Sequence, residues 1–379
     1  MSFDDVLQRG EDELLSTRPR HSLSWILASQ FTASTVTAFS KLILTAFYNV
    51  ELKGLNHLDN AFQYAKDNNR AILTIANHMS TCDDPMLFAC LPWRYFFNYD
   101  DIRWGLAASN VCFTNKISSA FFSLGRILPC ERFGRGPFQP SIDACIRLLS
   151  PDNSLNLQKF TLPPPILRNK PSWVHIFPEG FVCQLKSPHE NSMRYFRWGT
   201  ARLVLEPTIA PVVVPIFADG FEKIRPEEID MKTDYLTPSN IGSTITVNIG
   251  KAIDDNVIKS FRDEWKNLCN KYPNKDNNDD LSDELKFGSE ARDLRSRVCD
   301  YLREQVAQLR LQNGFKEEDP RFKDVNFWKR YTLSRGNSDP DIQFVGLNWA
   351  IKEYQRHVKL YNDKGEVIGE GKSERPSNL

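Results

Sequence analysis

The sequence lacks an excess of charge of one sign, cysteines at metal-binding spacing, and a long hydrophobic run free of polar residues. Its 379 residues carry 48 Lys and Arg against 48 Asp and Glu, so net charge gives no reason to expect a nucleic acid partner. The eight cysteines are scattered, with no CxxC pair and no histidine at zinc-ligand spacing. We therefore expect small buried thiols, no disulfide framework and no metal.

The amino-terminal sequence also lacks the marks of a cleaved leader. Five acids within the first thirteen residues argue against a secretory signal or an Arg-rich transit peptide. The stretch from Ser22 to Ser40 is uncharged, but nine of its nineteen positions are Ser, Thr or Gln, and Lys41 follows. A spanning helix normally contains more Leu, Ile and Val. We predict a helix that lies on a membrane or on the protein body, with Trp25 at the interface, and keep a bilayer span as the alternative.

From about residue 48, short apolar runs alternate with helical patterns. This alternation predicts an α/β fold with a mostly parallel sheet flanked by helices. The predicted strands are 48–52, 71–76, 102–108, 173–177, 212–217 and 244–249, and the predicted helices include 55–67, 85–89, 141–149 and 284–312. We divide the chain into a membrane-associated segment (1–47), an α/β domain (48–255), a helical carboxyl-terminal region (256–362) and a disordered tail (363–379), with a loop or insertion at 151–171.

A histidine and two aspartates interrupt the apolar pattern in "TIANHMSTCDDPMLF". On a regular helix His78 and Asp83 would lie about 140° apart, so they could not easily touch. A strand–loop–helix junction, with Asp84 capping a helix that begins at Pro85, would let Asp83 turn back toward His78. A carboxylate on one ring nitrogen leaves the other free to take a proton. The alternative is that the aspartates only start a helix.

Two further stretches carry polar groups at turns. In "FFSLGRILPCERFGRGPF", Gly125 and Pro129 bend the chain near arginines such as Arg132, which could bind phosphate oxygens; solvated arginines are the alternative. In "VHIFPEGFV", Glu179 follows a buried strand at the sheet edge where ligands bind in open α/β folds, and Gly180 permits close backbone approach. An exposed Glu in a β-turn is the alternative.

The stretch "NSMRYFRWGTARLVLEP" interleaves aromatic and basic residues. Such a pattern suits an anionic lipid interface, and a buried helix with an Arg-rich edge explains it equally well. The interface candidates are Tyr195, Phe196, Arg197, Trp198 and Arg202.

Taken in order, "NHMSTCD", "GRILPCER", "FPEG" and "VVVPIF" resemble the four blocks of the glycerophospholipid acyltransferases. The flanking "ERFGRGPFQPSIDACIRLLSP", "NSMRYFRWG" and "FADGFEKI" look like a branch of that family that remodels cardiolipin. The resemblance implies a glycerol-3-phosphate acyltransferase-like fold and a cofactor-free, reversible transfer of acyl chains from phosphatidylcholine to monolysocardiolipin. It also implies a monotopic mitochondrial membrane enzyme that faces the intermembrane space, and a homo-oligomer or membrane complex is conceivable.

The resemblance also implies roles for individual residues. His78 would be the general base, oriented by Asp83, and Arg132 would hold a phosphate, although the neighbouring Glu131 could pair with it. The second and third blocks further align with Gly125, Pro129, Glu179 and Gly180, and the fourth with Pro215. Glu179 would order the headgroup or nearby backbone, and donors near Gly180 would stabilise the oxyanion. Two rivals remain at this point: an acyl-coenzyme-A-dependent 1-acylglycerophosphate acyltransferase, and a non-enzymatic membrane-binding scaffold.

Overall fold

The computed structural model describes residues 3–17, 22–97, 101–132, 136–155, 172–227 and 239–352. The predicted tail and most of the predicted 151–171 loop lie outside these residues. The strands are β1 (Asn49–Lys53), β2 (Ile72–Ala76), β3 (Gly105–Ala108), β4 (Ile127–Cys130), β5 (Trp173–Ile176), β6 (Val212–Asp219) and β7 (Thr244–Ile249). The helices are α1 (Asp4–Thr17), α2 (Leu23–Phe47), α3 (Leu55–Asp67), α4 (Asp83–Cys90), α5 (Ser109–Cys112), α6 (Lys116–Leu124), α7 (Pro140–Leu149), α8 (Trp198–Leu205), α9 (Phe221–Ile224), α10 (Asp255–Lys271), α11 (Asp283–Phe287), α12 (Ser289–Gln312) and α13 (Val325–Leu333).

The main sheet has five strands in the order β1-β7-β6-β2-β5. The pairs β1–β7, β6–β2 and β2–β5 are parallel, and β6–β7 is antiparallel. The expected mostly parallel sheet flanked by helices is therefore confirmed. The carboxyl ends of β2, β5 and β6 meet at one edge, and this edge carries the candidate site.

β2, β5, β6 and β7 are largely buried on both faces, which explains why they lack an alternating polar pattern, whereas the edge strand β1 is mostly exposed. Leu73 and Ile75 of β2 belong to a core cluster that includes residues of α7, α8 and α12. Ile72 and Ala76, which point the other way, pack in a second cluster with residues of α3 and α4. Each face of the sheet thus has its own layer of helices.

Two predicted elements differ from the structure. The strand predicted at 102–108 is shorter: β3 pairs with β4, a segment that the sequence predicts as a bend, and before β3 Trp104 forms a single bridge with Val174 of β5. The helix predicted at 284–312 is two helices. Gly288 separates them with an extended backbone (φ −63°, ψ 150°), and a Cβ there would lie 2.4 Å from the Glu284 carbonyl oxygen.

Three polar residues of α2 donate hydrogen bonds to carbonyl groups at the ends of other segments. Lys41 donates to the carbonyls of Ala89 (2.5 Å) and Leu91 (2.9 Å), at the carboxyl end of α4. Ser29 donates to the last carbonyl of α6, and Gln30 donates to the carbonyl of residue 96, each at 2.6 Å. Part of the polar content of α2 therefore satisfies carbonyl groups at the ends of neighbouring segments.

The opposite face of α2 is apolar and exposed to solvent. Trp25 is half-buried on this helix. The most exposed large apolar residues of α2 are Leu23, Leu27, Phe31, Phe39 and Leu42. Ile117 and Phe121 of α6 are also exposed. Among the residues described, no helix combines the length and the apolar character needed to cross a bilayer.

Candidate active site

Strand pairing brings the first and third sequence blocks together. Ile75 of β2 pairs with Ile176 of β5, so His78 and Glu179 each stand three residues beyond paired positions. Asn77 extends the edge of β2 toward β6, because its side chain both donates to the Ala218 carbonyl (3.0 Å) and accepts from the Ala218 amide (2.8 Å). The segment that carries His78 is thus fixed on both sides by neighbouring strands.

His78 and Asp83 touch across the strand–loop–helix junction. The His78 Nδ1 lies 2.7 Å from Asp83 Oδ2, and the same oxygen accepts the backbone N–H groups of Met79 (2.7 Å) and Ser80 (2.9 Å). The Asp83 side chain is 2% exposed, whereas that of His78 is 21% exposed. An ionised carboxylate only accepts, so Nδ1 carries the hydrogen and Nε2 is left to take a proton.

Asp84 does not cap α4, so this part of the prediction is wrong. The helix begins at Asp83, and its N-cap is Cys82, whose side chain makes no capping bond. Asp84 instead forms an ion pair with Arg103, which also donates to the Gly125 carbonyl (3.2 Å). Nothing in the sequence signalled Arg103, because its partners are distant along the chain.

Glu179 is buried and holds two backbone segments. One carboxylate oxygen accepts the His78 amide (2.8 Å) and the other accepts the Arg194 amide (2.8 Å). Burial raises the pKa of Glu179 to about 7, against the opposing effect of these hydrogen bonds. Glu179 is expected to order either the lipid headgroup or the nearby backbone. These contacts with two backbone amides fit the second role.

Gly180 and Gly125 support turns. Gly180 has a φ of +79°, and a Cβ there would lie 2.6 Å from the Arg197 side chain. Its own amide donates to the Phe177 carbonyl (3.1 Å). The expectation that donors near Gly180 stabilise an oxyanion therefore does not concern this N–H, and it stays a prediction. Gly125 follows the last residue of α6, and its amide bonds back to Phe121 (3.0 Å).

A cavity of about 920 Å³ borders His78. Its apolar lining includes Val36, Leu106, Val111, Phe121, Phe122 and Ile127. Its basic lining includes Arg132, Arg197, Arg292, Lys323 and Lys329. Four acidic residues, Asp84, Glu131, Asp300 and Asp324, also line it. The cavity therefore offers apolar surface together with charged groups of both signs, including cations that could meet a phosphate.

Arg132 lies in this cavity beside residues of the carboxyl-terminal region. Its guanidinium carbon is 5.7 Å from the ring centre of Trp349, and Nη2 is 3.4 Å from the Asn110 side-chain oxygen. The Trp349 indole N–H in turn donates to Glu227 (2.8 Å). The position of Arg132 is compatible with its expected role of holding a phosphate, and that role stays a prediction.

The aromatic–arginine stretch is mostly interior, which corrects the interpretation of its residues as a membrane interface. Tyr195, Phe196 and Arg202 are buried. Arg202 forms ion pairs with Glu206 (2.6 Å) and Asp143 (2.8 Å), both of which are also buried. The equally weighted alternative, a buried helix with an Arg-rich edge, fits Arg202 of α8, whereas Tyr195 and Phe196 are buried in the non-helical segment before α8.

Arg197 and Trp198 are half-buried and line the cavity. Arg197 donates from Nη1 to the Arg132 carbonyl (2.7 Å), and the Trp198 indole donates to Ser296 of α12 (3.0 Å). Both residues therefore help to shape the cavity wall.

The cavity thiols are poor candidates for a covalent acyl carrier. Cys112, Cys130 and Cys299 line the cavity. Burial raises the pKa of Cys112 to about 11 and also raises those of Cys130 and Cys299. The thiolate is the nucleophilic form, and little of it would exist near neutral pH. Direct transfer assisted by a base suits these residues better.

The sequence matches known acyltransferases. The family model described as acyltransferase matches residues 49–218. The chain is 50% identical to tafazzin of Saccharomyces cerevisiae over 371 residues, which cover 94% of this chain and 97% of that protein. It is 30% identical to Drosophila melanogaster tafazzin, over 61% of this chain and 53% of that protein. A solved 1-acyl-sn-glycerophosphate acyltransferase, PlsC from Thermotoga maritima, shares 14% identity with a TM-score of 0.36, over 77% of this chain and 88% of that one.

Proposed function

The chain belongs to the tafazzin family of acyltransferases, and from this premise we propose that it transfers acyl chains between phospholipids without coenzyme A, with His78 as the general base. Phosphatidylcholine is the proposed donor and monolysocardiolipin the proposed acceptor. The resemblance of the sequence blocks supports these lipids. The contact of 2.7 Å between His78 and Asp83 supports the chemistry.

The proposed reaction is a direct exchange of one ester for another. The acceptor hydroxyl gives its proton to His78 Nε2, and its oxygen bonds to the donor ester carbonyl carbon. The tetrahedral intermediate then breaks the original ester bond, and the released glycerol oxygen takes the proton back from Nε2. Asp83 stabilises the imidazolium between these steps. Because the two lipids have equivalent roles, the same machinery runs in both directions.

Substrates are proposed to enter from a lipid surface. Val111 and Phe121 are both exposed and part of the cavity lining, so apolar surface continues from the outside of the protein to the cavity. The exposed face of α2 adds to this surface. A protein resting on one leaflet through these residues could accept acyl chains without moving them through water. Mitochondrial membranes facing the intermembrane space are the proposed location, on the basis of the resemblance.

The deciding experiment measures transfer of label from phosphatidylcholine to monolysocardiolipin in coenzyme-A-free vesicles, comparing wild type with His78→Ala. We expect transfer by wild type and a loss of about 10²- to 10⁴-fold in the variant, the usual contribution of general-base assistance. Near-normal transfer by folded His78→Ala would refute the proposed role of His78.

The same assay separates the two rival functions. Complete dependence of wild type on added acyl-coenzyme A would favour a 1-acylglycerophosphate acyltransferase. Vesicle binding with no turnover of any lipid, with or without acyl-coenzyme A, would favour a scaffold.

A further inference from the structure

Phe177 lies directly after β5 and contacts the imidazole of His78. The two rings are stacked, with centroids 4.5 Å apart and an interplanar angle of 21°. We propose that Phe177 is a positioning residue that fixes the plane of the His78 imidazole and stabilises the imidazolium formed during acyl transfer. This inference rests on the proposed role of His78 as general base.

The first part of the role is geometric. The imidazole turns about the Cα–Cβ and Cβ–Cγ bonds, and the single hydrogen bond from Nδ1 to Asp83 still permits small coupled rotations about these two bonds that tilt the ring. A flat contact with Phe177 opposes these rotations, because tilting the imidazole would press it into the neighbouring ring. The direction of Nε2, the atom that exchanges the proton, is then defined by both contacts together.

Phe177 is itself held by packing on a second histidine. His175 lies 4.7 Å from the Phe177 ring at 86°, and it also meets Phe88 edge to face. The indole of Trp173 donates to the Thr74 hydroxyl (2.9 Å), which therefore can donate its own hydrogen to His175 Nδ1 at 2.8 Å. The position of Phe177 is thus set by residues of the buried sheet.

Two histidines, His78 and His175, contact Phe177, and in the proposed reaction His78 is the one that takes up a proton. His175 is 1% exposed, and burial, together with the nearby Arg103 and His78, lowers its pKa well below the usual value. His175 is therefore neutral at physiological pH. The face of an aromatic ring carries negative potential and attracts a cation within about 6 Å. The stack thus favours the state in which His78 holds the transferred proton.

Other ionisable groups surround His78, and a test must compare proteins in which these groups are the same. Asp83 and Asp84 belong to α4, Glu179 follows β5, and Glu227 lies on the loop after α9. Burial raises the pKa of both Glu179 and Glu227 to about 7, near the range in which an imidazole titrates. A single pH profile would mix these groups. A comparison among variants of Phe177 keeps all of them unchanged.

The sharpest test replaces Phe177 with phenylalanines that carry one, two or three ring fluorines. Fluorine withdraws density from the ring face while shape changes little, so packing stays nearly constant and the electrostatic attraction falls stepwise. In the coenzyme-A-free vesicle assay we expect kcat to fall progressively, by about 2- to 30-fold over the series. The acid limb of the profile of kcat/KM against pH should move to lower pH, because the imidazolium is less stabilised. The KM for monolysocardiolipin should not change.

Phe177→Leu gives a second measurement with a natural residue. It removes both the flat contact and the aromatic face, so we expect a loss of kcat at least as large as that of the trifluorinated protein. Phe177→Tyr keeps the aromatic ring and should retain most of the wild-type kcat. Equal kcat and an unmoved acid limb across the fluorinated series would overturn the electrostatic role. Full activity of Phe177→Leu would overturn the positioning role.

His78→Ala, measured in parallel, separates this inference from the proposed function. If His78→Ala is inactive and the Phe177 variants match wild type, only the inference about Phe177 fails. If His78→Ala transfers acyl chains normally, the general-base role fails and the inference fails with it.

Discussion

Asp83→Asn removes the charge that faces His78 while keeping the size of the side chain. In the wild type Oδ2 accepts three hydrogen bonds, and Oδ1 is buried with no hydrogen-bond partner among the residues described. An asparagine can therefore place its oxygen at the Oδ2 position and keep the bonds from Met79, Ser80 and His78. Its NH2 group then occupies the Oδ1 position as a buried donor without a partner.

The expected effect follows from these contacts. A hydrogen bond to a charged group contributes about 1.5–3 kcal/mol, more than a neutral one, and this bond strengthens when the imidazolium forms. If most of that stabilisation is lost in the transition state, kcat falls by about 10- to 150-fold. The unpartnered NH2 costs a further 1–3 kcal/mol of folding stability, roughly. His78→Ala should reduce kcat more than Asp83→Asn does, because it removes the base itself.

A double-mutant cycle in the coenzyme-A-free vesicle assay tests this reasoning. In the proposed mechanism Asp83 acts through His78, so adding Asp83→Asn to His78→Ala should cause little further loss of kcat. Thermal unfolding of all four proteins controls for stability. Losses of rate that multiply in the double variant would refute the view that Asp83 works by orienting and charging His78.

Three further perturbations have defined outcomes. Because the pKa of Glu179 is raised on folding, its contribution to stability is complete below the pKa of the unfolded state and is lost as the pH rises to about 7. In Glu179→Gln, the free energy of unfolding, measured with denaturant between pH 4.5 and 7, should therefore depend less on pH than in wild type. Arg103→Met leaves the Asp84 carboxylate without its cation and should lower Tm. The loss should be smaller than the roughly 3–5 kcal/mol of a fully buried ion pair, because the Asp84 side chain is 29% exposed, and adding Asp84→Asn should recover part of it. Phe31 is exposed, so Phe31→Glu should weaken flotation with anionic vesicles at unchanged Tm. Arg202 is buried in an ion pair, so Arg202→Met should lower Tm with no direct effect on flotation. The reverse pattern would restore the membrane-interface interpretation of Arg202.

The parts of the site that sequence alone predicted are those set by strand ends. A buried run followed by polar residues locates a strand end, and parallel neighbours bring such ends to one edge. His78 and Glu179 met this condition, and the pairing of Ile75 with Ile176 explains why they are adjacent. The contact between His78 and Asp83 followed from the same argument once a junction replaced a continuous helix.

Side chains that act across long sequence separations were not predictable in this way. Arg103 and Trp349 carry no local pattern that marks their partners, and both contact the site through tertiary packing. The burial of Tyr195 and Phe196 was ambiguous for a different reason. Alternating aromatic and basic residues suit a lipid surface, and they equally suit a segment whose arginines find buried acceptors.

The two halves of the site therefore have different structural origins. His78, Asp83 and the ring of Phe177 are held by the buried sheet and by hydrogen bonds within a short loop. The basic lining of the cavity comes largely from α12 and the segments after it, beyond the residues 49–218 that match the acyltransferase family. In the proposed function, the acyl-transfer chemistry depends on the first group of residues. We therefore predict that changes in the carboxyl-terminal region alter the choice of lipid without altering the proposed base.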